Sequence, residues 1–145
     1  MKSSKQEIII NHRAKDLYKI VLDVEKYPEF IPWCKKIIVK SRTNKEILAD
    51  MIVSYKFSLP QTFTSHVFYD SNNLFISTHY IKGPLKDLST EWIFKKLEEK
   101  KTKIIFNVKF EFKKLFHQKI AEIFFSLIDN KMIDSFKKRA DQILD

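Results

Sequence analysis

From about Leu115 to Leu144 no Gly or Pro interrupts the chain, and Ala, Leu, Lys, Glu and Gln give the run helix propensity. A helix of that length must bury a face, so the rest of the chain has to supply what it packs against. Phe116, Ile120, Ile123, Phe124 and Leu127 recur at three- and four-residue steps and share one side. Phe125, Ile128, Met132, Phe136, Ala140 and Ile143 form a second stripe, offset by more than a quarter turn. Such a helix either bends near Asp129 and Asn130 or is apolar on two sides, one towards a core and one towards a cavity.

The remainder reads mostly as strands. Glu7 to His12 is a β-branched run, followed from Ala14 by the helical spacing of Leu17, Ile20, Val21 and Val24, with Asp16 in the first turn. Pro28 and Pro32 are expected to end helical order, and Tyr27-Pro28-Glu29-Phe30-Ile31-Pro32-Trp33-Cys34 packs three aromatics into a stiffened corner. Alternation then marks strands at Lys35–Arg42, Glu46–Phe57, Phe63–Tyr69, Leu74–Ile81, Leu88–Leu97 and Ile104–Phe112. Short connections between successive strands imply an antiparallel meander. The predicted architecture is α+β: a curved antiparallel sheet of about seven strands around a long C-terminal helix, with short helices after the first strand, as one domain over 1–145. This helix-grip arrangement commonly leaves a hollow between sheet and helix, suited to an apolar ligand.

Composition narrows the function classes. A single cysteine, Cys34, excludes an internal disulfide and a cysteine-rich zinc site. The four histidines, His12, His66, His79 and His117, lie far apart in sequence without metal-ligand spacing, and Gly83 alone cannot make a glycine-rich phosphate loop. Cys34 with His66 or His79 is the one conceivable nucleophile pair, but a lone cysteine is more often a small buried hydrophobe. No apolar run reaches membrane-spanning length and nothing at the N-terminus resembles a signal peptide. The net charge of +9 suits RNA, anionic lipid or acidic proteins, yet only Arg13, Arg42 and Arg139 offer bidentate phosphate contacts.

Four ordered motifs carry a family resemblance. Asp23-Val24-Glu25-Lys26-Tyr27-Pro28-Glu29-Phe30-Ile31-Pro32-Trp33-Cys34, Phe63-Thr64-Ser65, Gly83-Pro84-Leu85 with Leu88, Trp92 and Phe94, and Phe110-Glu111-Phe112 with the ending Phe136-Lys137-Lys138-Arg139-Ala140 resemble the coenzyme Q-binding branch of the START-like superfamily. That superfamily is also catalogued with polyketide cyclases and lipid-transport proteins. Arg13 stands where members usually carry a small polar helix cap. The resemblance implies a non-catalytic protein that holds ubiquinone or a polyprenyl precursor and supports respiration or ubiquinone biosynthesis, with no required cofactor. A second branch is described as a ribosome-association toxin that binds the large ribosomal subunit. Trp33 looks closer to the ubiquinone-binding members, since toxin-type members often have a small residue there. The implied location is cytoplasmic and peripheral to an anionic inner-membrane surface, or on the matrix side for a mature mitochondrial form.

A carrier of this kind needs little beyond grease. At ~0.8 kcal/mol per CH₂, a five-carbon isoprene unit contributes about 4 kcal/mol and two units about 8 kcal/mol, the scale of micromolar binding before ordering costs. The expected wall is Met51, Val53, Tyr55, Phe57, Val67, Tyr80, Trp92, Phe106, Val108 and Phe110 on strands, with Phe124, Leu127 and Ile128 on the helix. Tyr27, Phe30 and Trp33 are expected at the mouth or lid.

Overall fold

The computed structural model describes residues 2–54, 59–113 and 118–144, with residues 118–121 described by backbone alone. Seven strands form one sheet: β1 (Lys2–Ile10), β2 (Cys34–Arg42), β3 (Glu46–Val53), β4 (Gln61–Asp70), β5 (Phe75–Lys82), β6 (Leu85–Glu98) and β7 (Lys101–Phe112). The spatial order is β1-β7-β6-β5-β4-β3-β2, antiparallel at every step. Strands β2 to β7 are thus the expected meander, and β1 returns to close against the last strand.

Strand β1 begins five residues before the expected Glu7. Its polar first half pairs by backbone with β7, Lys2 opposite Phe110 and Gln6 opposite Phe106, so partner geometry rather than side-chain pattern sets its start. After it, α1 (Ala14–Leu22) buries Ala14, Leu17, Tyr18 and Val21. Its cap residue Arg13 makes no side-chain capping bond; its carbonyl accepts from the amides of Asp16 and Leu17, and its guanidinium meets Glu99 at 3.3 Å. Helical order then continues as a 3-10 turn over Val24–Glu29 with Pro28 inside it, past the proline expected to stop it.

The long terminal helix is three pieces: α2 (Gln118–Ser126), a π turn (Leu127–Lys131) and α3 (Met132–Ile143). The π turn falls where the two apolar stripes change over, around Asp129 and Asn130. A π turn adds a residue to the helical repeat, so it rotates one stripe relative to the other while both continue to face the sheet. Backbone carbonyls loosened there are met from β1: Gln6 Nε2 donates to the Asp129 carbonyl at 2.5 Å, and Ser4 Oγ donates to the Asp129 carboxylate at 2.6 Å. Among the described residues no helix is long and apolar enough to cross a membrane.

Strand faces alternate as period two requires. Phe106, Val108 and Phe110 of β7 point inward and are essentially inaccessible, together with Ile10, Ile47, Ile76 and Trp92 from neighbouring strands. The helices cover that inner face, with Leu127, Ile128, Ile133, Phe136 and Ala140 buried against it.

Candidate apolar ligand site

Between the concave face of the sheet and the helical layer lies a cavity of about 140 Å³. Its strand wall comprises Ile37 of β2; Ala49, Met51 and Val53 of β3; Phe63, Ser65 and Val67 of β4; Ile76 and Thr78 of β5; Leu88, Thr90 and Trp92 of β6; and Phe106 of β7. The helical side contributes Val21, Val24, Tyr27, Phe124, Leu127, Ile128, Met132 and Phe136, and the corner before β2 contributes Trp33. Aromatic rings frame it. Trp92 sits 4.3 Å from Phe106 and 4.9 Å from Phe136, centroid to centroid, while Phe63 and Phe124 stack at 5.3 Å with planes 3° apart.

Of the residues expected at a ligand site, the structure places Tyr27, Trp33, Met51, Val53, Val67, Trp92, Phe106, Phe124, Leu127 and Ile128 on this wall. Tyr55 and Phe57 lie outside the described residues. Four others stand elsewhere. Phe30 is half-buried outside the cavity wall, packed against Phe136 at 5.2 Å and beneath the Arg139 guanidinium. The Tyr80 hydroxyl donates to the Leu85 carbonyl at 2.8 Å and accepts from its amide at 3.0 Å, bracing the Gly83-Pro84 turn. Val108 and Phe110 share the inward face of Phe106, but core packing fills the space in front of them. Phe110 meets Phe112 at 5.2 Å and Phe125 at 5.3 Å. Trp33 is wall rather than lid, being buried. Strand alternation could have found Ile37, Ala49, Phe63, Ile76 and Leu88; Val21, Met132 and Phe136 needed the helix placement, which no local pattern gives.

Cavity size bounds the part of a ligand that fits inside. A void of about 150 Å³ holds a single benzene, and drug-sized sites run to about 300–1,000 Å³. Bounded by the described residues, this cavity has room for one six-membered ring or one branched isoprene unit.

The wall is mostly aromatic and aliphatic, and its ionisable groups are held neutral. Cys34 is buried, and burial pushes its thiol up to about 11, so it stays protonated near neutral pH. Burial also raises the Tyr27 phenol well above its ordinary value, and its hydroxyl donates to the Val21 carbonyl. His66 and His79, separate in sequence, prove to be register partners on β4 and β5. They alternate with wall residues and so occupy the outer face, where both rings flank Phe68 at 5.6 and 5.4 Å. Neither can serve Cys34 from there. His12 is engaged with Asp141 at 2.9 Å. Among the described residues no three His, Cys, Asp or Glu side chains gather as a metal-binding group.

Comparison with known proteins places this geometry. A family model described as polyketide cyclase / dehydrase and lipid transport matches residues 10–137. The ribosome association toxin RatA of Vibrio cholerae is 31% identical over 148 aligned positions, spanning 99% of this chain and 98% of that relative. A mitochondrial coenzyme Q-binding protein of Drosophila melanogaster is 34% identical over 131 positions and 88% of this chain, which spans about half of that relative's length, 54%. Among solved structures, the Zhui aromatase/cyclase from Streptomyces sp. R1128 superposes with a TM-score of 0.87 over 99% of this chain and 96% of its own, at 14% identity, a likeness of fold alone. Matched from the end of β1 into α3 and built as a sheet gripping a helix over an apolar hollow, this chain belongs to the polyketide cyclase / dehydrase and lipid transport family, in the START-like superfamily that includes both the coenzyme Q-binding and the ribosome association toxin branches.

Proposed function

We propose that this protein is a non-catalytic regulator that associates with the large ribosomal subunit and holds one small apolar ligand in its cavity. The ligand half of this reading is carried by the cavity itself, enclosed by aromatic and aliphatic side chains. The ribosomal half is supported by a toxin-named relative aligned over nearly the full length of both chains. Ribosomal association comes ahead of the ubiquinone carrier for two reasons. The coenzyme Q-binding relative is covered over only about half its length, and the hollow is ring-sized rather than tail-sized. Trp33 does not weigh the other way, because a buried wall position answers to packing.

The charge pattern fits a sequence-tolerant contact with RNA. Arg13, Arg42 and Arg139 are each held in an ion pair with Glu99, Glu25 and Glu29, at 3.3, 2.7 and 3.1 Å. Attraction to phosphate then falls to lysines, which act as point charges. The expected result is cosedimentation of the purified protein with large subunits at low salt, declining steeply as salt rises. No binding at low salt overturns the ribosomal reading.

A second reading keeps ubiquinone or another prenyl quinone as the ligand, with the head ring in the cavity and the tail outside, and an anionic membrane as a docking surface. It is supported by the coenzyme Q-binding relative and by exposed Leu59 and Ile81, the latter next to Lys82. Organic extraction of the purified protein followed by mass spectrometry tests it. No recovered prenyl lipid, and no uptake of added quinone, removes it.

A further inference from the structure

We propose that Ser65, Thr78 and Thr90 form a hydrogen-bonding spot in the cavity wall that selects a single ring bearing an oxygen function, such as a ring ketone, quinone or phenol, over a hydrocarbon of the same size. This rests on the reading of the cavity as a ligand site and adds to it the chemical class of the occupant.

Each of the three interrupts an apolar row on the inward face of its strand. Ser65 stands between Phe63 and Val67, Thr78 between Ile76 and Tyr80, and Thr90 between Leu88 and Trp92. The strands are neighbours, so the interruptions gather at one place. Thr78 lies directly opposite Thr90 on β6 and opposite Val67 on β4, which puts Ser65 one diagonal step away. Opposed side chains stand about 5 Å apart at Cβ and diagonal ones about 7–8 Å, within the span of one six-membered ring and its substituents.

Threonines buried elsewhere in this fold are satisfied: Thr102 donates to the His12 carbonyl at 2.8 Å, and Thr64 to the Asp50 carboxylate at 2.6 Å. Among the described residues the three wall hydroxyls have no such partner, and all three residues line the cavity. A hydroxyl in an apolar wall is unfavourable unless something bonds it. An isosteric Val or Ala would fill the same place at lower cost if the wall had only to be greasy. A ligand oxygen seated at this spot receives donors from two or three strands, while the rest of the ring meets the aromatic frame.

The test uses the full chain, with the indole N–H resonances of Trp33 and Trp92 as reporters, since both indoles line the cavity. Binding of p-cresol and of toluene is titrated against the wild type, Thr78→Val/Thr90→Val, Ser65→Ala and Thr78→Ser. Loss of each hydroxyl is expected to weaken p-cresol about fivefold, the usual worth of one net hydrogen bond. Toluene is expected to bind unchanged or tighter, and Thr78→Ser to retain p-cresol. Toluene binding with p-cresol indifferent to every hydroxyl overturns this proposal and leaves the cavity reading standing. Failure of both probes to perturb either indole overturns the two together. The Ser65→Ala variant alone carries the test should the double substitution unfold the chain.

Discussion

At the scale of single residues, Gly83 and Asp50 show how local chemistry sets the sheet. Gly83 has φ of +150°, and a Cβ placed there would lie 2.7 Å from the Thr62 carbonyl oxygen and 3.0 Å from the Tyr80 hydroxyl. The obstacle is backbone, which cannot swing aside. Gly83→Ala is therefore expected to destabilise by about 2 kcal/mol or more, lowering Tm by about 4–8 °C in a thermal melt. Asp50 accepts from the Thr64 hydroxyl and pairs with Lys40, and these hold its carboxyl below the ordinary value of 3.8. A carboxyl depressed by folding takes up fewer protons than in the unfolded chain. Its stabilisation is present above pH 3.8 and is lost as pH falls through the folded value. Asp50→Asn is expected to flatten the acid limb of a stability-against-pH curve in that range; an unchanged limb would assign acid unfolding to other carboxylates.

The terminal helix is the element on which the cavity depends. A straight α-helix carrying these two stripes would turn one of them away from the sheet, and the π turn at Leu127–Lys131 is what keeps Phe124 and Phe136 on the same cavity. Gln6 is the β1 side chain that answers the turn's backbone, through the Asp129 carbonyl and, more distantly, that of Ile128 at 3.4 Å. Gln6→Ala is expected to reduce stability by about 1–2 kcal/mol and to raise amide exchange selectively around the π turn. Uniform loss of protection across the sheet would instead make Gln6 a feature of the β1–β7 pairing.

For the whole molecule, the balance lies between a filled core and a ring-sized void. Packed interiors leave few voids larger than a water molecule, so a ring-sized hollow is unfavourable for the ligand-free fold. Ala49 is a small residue on its wall, and Ala49→Leu adds three carbons worth up to about 2 kcal/mol of burial. The expected outcome is a higher Tm together with loss of toluene and p-cresol binding. On the proposed ribosomal reading, salt-dependent attachment to the large subunit should be unchanged, because that reading puts the contact on the lysine exterior. Loss of ribosome binding in the same variant would show that the cavity and the exterior act as one site.

Strand alternation and the uninterrupted terminal run determined the helix-grip fold, because periodicity two and periodicity 3.6 each leave one apolar face and those faces have only each other to cover. They also located much of the wall, from Met51 and Val53 to Trp92 and Phe106, since inward-facing positions repeat along a strand. Tertiary packing decided the rest. It brought His66 beside His79 on the outer face, filled the space before Val108 and Phe110, and gathered Ser65, Thr78 and Thr90 from three strands. Volume was beyond the sequence for the same reason: a void is the difference between two curved surfaces, and its size depends on how helix and sheet settle together rather than on any residue of either.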